Sequence, residues 1–218
     1  MTDGQQPRRN RPIVFVALGL AALVAGLAAV YVIGGSNGNR EQAASCQPAL
    51  ELAETLRPKV TGEVAAFLPA SDPLSMADLA FVDDDGEART LADFAGRTVL
   101  VNLWATWCAP CRKEMPALDE LQAELGGADF EVVTVSVDRG SDEKPKTFLN
   151  EIGVEHLAFY HDPSMQIFQT VRSRGRAPGL PSTLLIDGAG CEIGTLMGPA
   201  EWASDDALAL VRAALGRE

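Results

Sequence analysis

Cys108 and Cys111, two residues apart in Trp107-Cys108-Ala109-Pro110-Cys111, constrain this chain more than any other feature. Before them runs Val99-Leu100-Val101-Asn102-Leu103-Trp104, nearly all apolar, as in a strand buried on both faces. After them Met115, Leu118, Leu121 and Leu125 recur at helical spacing until Gly126-Gly127 stops the pattern. A strand must therefore end, and a helix begin, at the cysteines. On the first turn of a helix a Cys-x-x-Cys pair lies within disulfide range, and the first sulfur sits at the positive end of the helix dipole. That is the layout of a dithiol that cycles. Cys108 attacks a disulfide as a thiolate, and Cys111 then resolves the mixed disulfide.

The 218 residues suffice for one packed domain and an appendage. Residues 13–33 carry no charge and are long enough to cross a bilayer as a helix. Arg8, Arg9 and Arg11 precede them, and no further Lys or Arg occurs until Arg40. By the positive-inside rule residues 1–12 are cytoplasmic, and the chain beyond the anchor is exported. A cleaved signal peptide fits less well, because the apolar run is long and only the weak Gly34-Gly35-Ser36 site comes after it. Residues 34–44 are small and polar and read as a tether. Three of the 18 basic and one of the 30 acidic residues fall within residues 1–33, which leaves 15 against 29, a net charge of −14, beyond the anchor. So acidic a domain is a poor nucleic-acid binder and is repelled by an anionic membrane surface.

Residues 45–77 read as a helical extension, with a helix over 49–56 and irregular chain from Thr61 to Ala77 broken by Pro69 and Pro73. Residues 78–218 read as the main domain. Strands are predicted at 79–82, 99–104, 130–137, 157–160, 182–187 and 191–197, the last two joined through Gly188-Ala189-Gly190. Helices are predicted after Cys108 and over 144–152, 164–171 and 205–215, the last capped by Ser204 and ended by Gly216. Strands alternating with helices, then a hairpin and a closing helix, make an α/β layered fold.

Cys46 and Cys191 remain. In an oxidising compartment such a pair is more readily bonded than free, and the bond would close a loop of about 145 residues, worth several kcal/mol in the chain-entropy model. Two buried free thiols are the other reading.

Residues Val101 to Pro116, Glu143 to Leu149 and Gly198 to Ser204 together resemble the TlpA/ResA group of membrane-anchored thioredoxin-like proteins of bacteria. The resemblance spans the anchor, the extension, the redox domain and all four cysteines. It implies a thioredoxin fold with an insertion at about 139–179. It also implies a cis-proline at Pro181 in Gly179-Leu180-Pro181-Ser182, in a loop that faces the cysteines and pairs with the substrate backbone. Thioredoxin carries a buried Asp six residues before its first Cys, whereas this chain has Asn102, which cannot relay a proton. The group instead has a glutamate at the position of Glu114, one helical turn past Cys111. Glu114 is therefore the candidate proton carrier for Cys111, the alternative being an exposed helix carboxylate. Trp107 and Pro110 complete the site, with Trp107 exposed for partner contact. Trp104 belongs to the core, and Trp202 has no assigned role.

The group's chemistry uses only its dithiol, with no cofactor or metal. The resemblance implies a protein-disulfide reductase recharged by a membrane electron carrier of the DsbD/CcdA type. Its implied clients are a Sco-type copper chaperone and the copper-binding oxidase subunit. Reduction of apocytochrome c and a redox-inert adaptor are the alternatives.

Other constellations are weaker. His156 and His161 lie too far from Cys111 for a zinc-finger set and read as surface or packing residues. A peroxidase would need Pro and Thr or Ser where Val101 and Ala105 stand, and a Sco-like copper site needs three residues between its cysteines. Arg172, Arg174 and Arg176 form a basic cluster, either a solvated loop or a surface that steers an acidic partner.

Overall fold

The computed structural model describes residues 45–217. The anchor read at 13–33 and the tether at 34–44 lie outside the described residues. Among those described, no helix is long and apolar enough to cross a membrane.

Among the described residues eight strands form one sheet: β1 (Phe67–Pro69), β2 (Ala80–Val82), β3 (Ala88–Thr90), β4 (Thr98–Trp104), β5 (Phe130–Ser136), β6 (Tyr160–His161), β7 (Ser182–Ile186) and β8 (Glu192–Met197). Their order is β1-β8-β7-β4-β5-β6-β2-β3. The two long apolar runs form its centre. β4 and β5 pair in parallel along their full length, from Thr98 opposite Phe130 to Trp104 opposite Ser136. Strands so placed are covered on both faces, which is why their residues do not alternate in polarity. β7 runs antiparallel to β4, with Ser182 opposite Leu103, and β8 closes the hairpin.

Among the described residues five α-helices accompany the sheet: α1 (Gln47–Leu56), α2 (Ala109–Leu125), α3 (Glu143–Glu151), α4 (Gln166–Ser173) and α5 (Asp205–Ala214). α2 turns Cys111, Glu114, Met115, Leu118, Leu121 and Leu125 inward, the helical stripe expected of it. The Ser204 hydroxyl caps α5 by accepting the Ala207 N–H.

The structure draws the extension into the main core. Ala49, Ala53 and Leu56 of α1 are buried with the rest of the interior, and Cys46 is bonded to Cys191. The stretch read as irregular contains β1, which pairs with β8 through Phe67 opposite Leu196. Three residues ending in proline are too short for a sequence signal, and Pro69 is tolerated because β1 is an edge strand. Gly194 of β8 makes the pairing possible, since a Cβ there would overlap the Phe67 ring.

The predicted insertion holds α3, β6 and α4. The strand expected at 157–160 is the shorter β6, which ends one residue later. Asp119 of α2 anchors the segment by accepting the backbone N–H groups of Glu155, His156 and Leu157. Phe81, Phe94 and Tyr160 cluster beneath β2 and β6, with the Tyr160 ring edge-on to the other two.

Candidate active site

β4 ends at Trp104, and a turn closed by the Cys108 N–H on the Ala105 carbonyl (3.0 Å) leads into α2. Cys108 is the N-cap residue of that helix, in extended conformation, and its sulfur accepts the Cys111 N–H at 3.3 Å. Ala109 and Pro110 occupy the first two helical positions, where a missing N–H costs nothing. The cysteines are joined, with Cα atoms 5.3 Å apart. They differ in access: Cys111 is fully buried, whereas Cys108 is 6% exposed. Trp107 beside it is 61% exposed. A partner sulfur approaching this end of the sheet therefore reaches Cys108 before Cys111.

The Leu180–Pro181 peptide bond is cis. Pro181 immediately precedes β7, whose first residue lies opposite Leu103, so the proline and the redox motif share one end of the sheet. The loop is tied by the Ser182 hydroxyl to the Gly179 carbonyl (2.8 Å) and by the Gly198 N–H to the Pro181 carbonyl (3.0 Å). Upstream, the basic cluster read as a possible steering surface is largely engaged. Arg174 pairs with Asp78, and Arg176 grips both oxygens of the buried Glu192 at 2.6 and 2.8 Å. Only Arg172 of the three has no ion pair among the described residues. The partners of Arg174 and Arg176 come from other strands and loops, which a reading of neighbours along the chain does not see.

Glu114 is 3% exposed, not an exposed helix carboxylate. Its Oε1 accepts from Asn102 Nδ2 at 2.9 Å, and Oε2 accepts from the Ala200 N–H at 3.2 Å. Burial drives its pKa up to about 7, and these hydrogen bonds work against the rise. The Trp202 indole N–H leans toward the carboxylate without closing a hydrogen bond. The other proton of the Asn102 amide goes to Thr183 Oγ1 at 2.9 Å, while Asn102 Oδ1 is left without a partner. Glu114 also lines a cleft of about 440 Å³ between the start of α2 and the segment Pro199 to Glu201. A buried carboxyl that changes charge near neutral pH, one helical turn from Cys111, suits the acceptance and return of a proton.

On the other flank stands a carboxylate that sequence reasoning passed over. Asp138 is buried, and Oδ2 and Oδ1 accept from the Thr106 N–H (2.8 Å) and Thr106 hydroxyl (2.6 Å) respectively. The signal was available in principle. Parallel strands bring their C-terminal ends together, so the residues just after β5 must lie beside those just after β4. His161 is buried, with Nε2 2.7 Å from the Asp138 carbonyl oxygen, whereas His156 is exposed. Among the described residues no three His, Cys, Asp or Glu side chains are grouped as a metal site.

Known proteins similar to this chain share its family and fold. Thiol-disulfide oxidoreductase ResA of Bacillus anthracis is 33% identical over 116 residues, 53% of this chain and 64% of the relative. The chain thus spans just under two thirds of that relative's length. Among solved structures, the one described as a putative thiol:disulfide interchange protein DsbE from Chlorobium tepidum is 30% identical. It superposes with a TM-score of 0.56 over 65% of this chain and 96% of its own. The thioredoxin domain of a thiol-disulfide oxidoreductase from Bacteroides vulgatus, 24% identical, shares the fold with a TM-score of 0.52 over 64% of this chain and 96% of its own. Residues 62–210 match the Redoxin family, a span that runs from before β1 into α5. Sheet, redox helix and insertion all fall within that match, and on it the chain belongs to the Redoxin family, with a thioredoxin-like fold.

Proposed function

We propose that this protein is a thiol–disulfide oxidoreductase that reduces protein disulfides. The carrying observation is Cys108 at the N-cap of α2, reachable and with its sulfur on a helix N–H, bonded to a Cys111 that solvent does not touch. In the reduced form the Cys108 thiolate attacks one sulfur of a client disulfide, and the other client sulfur leaves as a thiolate. Glu114 takes the proton of Cys111, whose thiolate then attacks Cys108 Sγ and expels the second client sulfur. Two electrons pass to the client, and the enzyme is left with the Cys108–Cys111 disulfide seen here. Trp107 offers an apolar contact beside the nucleophile, and the Pro181 loop offers backbone to the client chain.

The uncharged run at 13–33 with its preceding arginines supports a membrane-anchored domain facing the periplasm. There a reductase needs electrons brought across the membrane, which supports a DsbD/CcdA-type donor. We propose a Sco-type copper chaperone and the copper-binding oxidase subunit as clients, on the resemblance of the motifs around Cys108, Glu143 and Gly198. Trapping tests this. A Cys111→Ser protein cannot resolve its mixed disulfide and should retain copper-site proteins. Apocytochromes in their place would move the assignment to haem attachment. Direction is tested by a glutathione titration, in which a strongly reducing potential is expected and an oxidising one would overturn the reductase reading.

A further inference from the structure

We propose that Asp138 is a positioning residue for the nucleophile, its carboxylate holding the Thr106–Trp107 turn that presents Cys108. The inference rests on Cys108 being the attacking sulfur. Thr106 is buried and lies two residues before Cys108. Both of its hydrogen-bond donors go to the one carboxylate, at 2.8 and 2.6 Å, and the third donor to it is the Ser136 hydroxyl of β5 at 3.1 Å. Asp138 is itself braced. The Val137 N–H donates to the Trp104 carbonyl (2.8 Å), and His161 of the insertion is hydrogen-bonded to the Asp138 carbonyl (2.7 Å). A line of short contacts thus runs from the insertion through the end of β5 to the residue that starts the redox turn.

Reduction makes this grip matter. In the disulfide form Cys108 is tethered to Cys111. When that bond opens, Cys108 is held from its N-terminal side by the single turn bond to Ala105 and the two bonds from Thr106 to Asp138. Attack on a disulfide needs the thiolate in line with the bond that breaks, and misplacement of about 1 Å can cost roughly 100-fold in rate. A residue that acts after reduction should therefore affect the reactivity of the dithiol more than the fold.

The test is the second-order rate of the reduced full chain with oxidised glutathione, divided by the thiolate fraction read from ultraviolet absorbance across pH. Asp138→Ala should lower the rate per thiolate by about 10- to 100-fold. Asp138→Asn should recover most of it, because its Oδ1 still accepts the Thr106 N–H and its amide can donate to the Thr106 hydroxyl. That pattern separates grip from charge, since both variants lose the charge. A rate per thiolate for Asp138→Ala within about threefold of the parent, or Asp138→Asn as slow as Asp138→Ala, overturns the proposal. Should Asp138→Ala fail to fold, Thr106→Val and Thr106→Ser decide. Valine, which lacks the hydroxyl donor, should slow the reaction about 10-fold, as expected for a lost hydrogen bond to a charged group, and serine should restore it. Valine as fast as the parent ends the proposal. If the parent protein itself does not reduce glutathione disulfide, it is the oxidoreductase reading that fails.

Discussion

Asn102 donates one amide hydrogen bond to Glu114 across 2.9 Å of buried interior, and a second to Thr183. The strand thus contributes a neutral donor, and the helix one turn past Cys111 contributes the only carboxyl of the pair. With a carboxylate at both positions, two like charges would share one buried site, and one of them would have to stay protonated. The division leaves Glu114 alone to titrate.

Glu114 should make stability depend on pH with a sign opposite to that of most carboxylates. Its pKa is raised from 4.5 to about 7 by burial, so the folded state binds the proton more tightly than the unfolded chain. The stabilisation is fully present below pH 4.5 and is lost as pH rises through 7, with a span of roughly 3 kcal/mol. Glu114→Gln removes this component. Urea unfolding of both oxidised proteins should show the variant gaining on the parent across that window and holding its gain above it. Parallel curves would rule the effect out. In the reduced protein the same variant should shift the Cys111 titration, and an unchanged titration would sink the proton-carrier role.

Asn102→Leu should push the Glu114 pKa higher, because the hydrogen bond from Asn102 is the leading influence holding it down. It also strips Thr183 Oγ1 of a donor, and the combined cost should be about 1–3 kcal/mol. The pH at which the glutamate-dependent part of stability disappears reports the shift directly.

Cys46–Cys191 closes a loop with a sequence separation of 145, for which the chain-entropy model gives about 5 kcal/mol. Double substitution by alanine should destabilise the domain on that scale. Cys46 and Cys191 are 0% and 1% exposed while Cys108 is 6% exposed beside the open Trp107, so a mild reductant should open Cys108–Cys111 first. Alkylation followed by peptide mass analysis reads the order, and equal labelling of all four cysteines would contradict it.

Arg176→Ala should destabilise by about 3–5 kcal/mol, because it leaves Glu192 charged in the interior with only the Thr195 hydroxyl as a side-chain partner. Chemical unfolding measures it. A loss below about 1 kcal/mol would mean that the Glu192 charge finds water once the arginine is gone.

Trp107→Ala should leave the melting temperature nearly unchanged, since most of the indole is already in water. It should instead weaken client recognition, raising KM for a protein disulfide while the rate with glutathione disulfide stays within about threefold. A drop in melting temperature equal to that of a core deletion would show that the ring packs inward.

The central strands and the redox helix were legible because burial on both faces writes itself into a run such as Val99 to Trp104, and α2 carries its stripe from Met115 to Leu125. The Cys108/Cys111 spacing belongs to the same class, since covalent distance along one helical turn is a local property. β1 was not legible, because three residues ending in Pro69 carry no periodicity of their own. Arg174 and Arg176 looked like a free basic patch, because Asp78 and Glu192 are distant in sequence and reach them only through the folded chain.

Sequence alone determined the α/β class, the redox pair and its place at a strand–helix junction, all of which depend on residues within a turn or two of one another. Tertiary structure decided how these groups behave. The Glu114 pKa is pushed up to about 7 because the closing of the core takes the carboxyl out of water, a rise that the hydrogen bonds from Asn102 of β4 and Ala200 from beyond β8 only partly oppose. Asp138 faces Thr106 because β4 and β5 end side by side. Desolvation and hydrogen bonding between distant segments exist only once the chain has closed on itself, so the chemistry of the pair was written locally and its tuning was not.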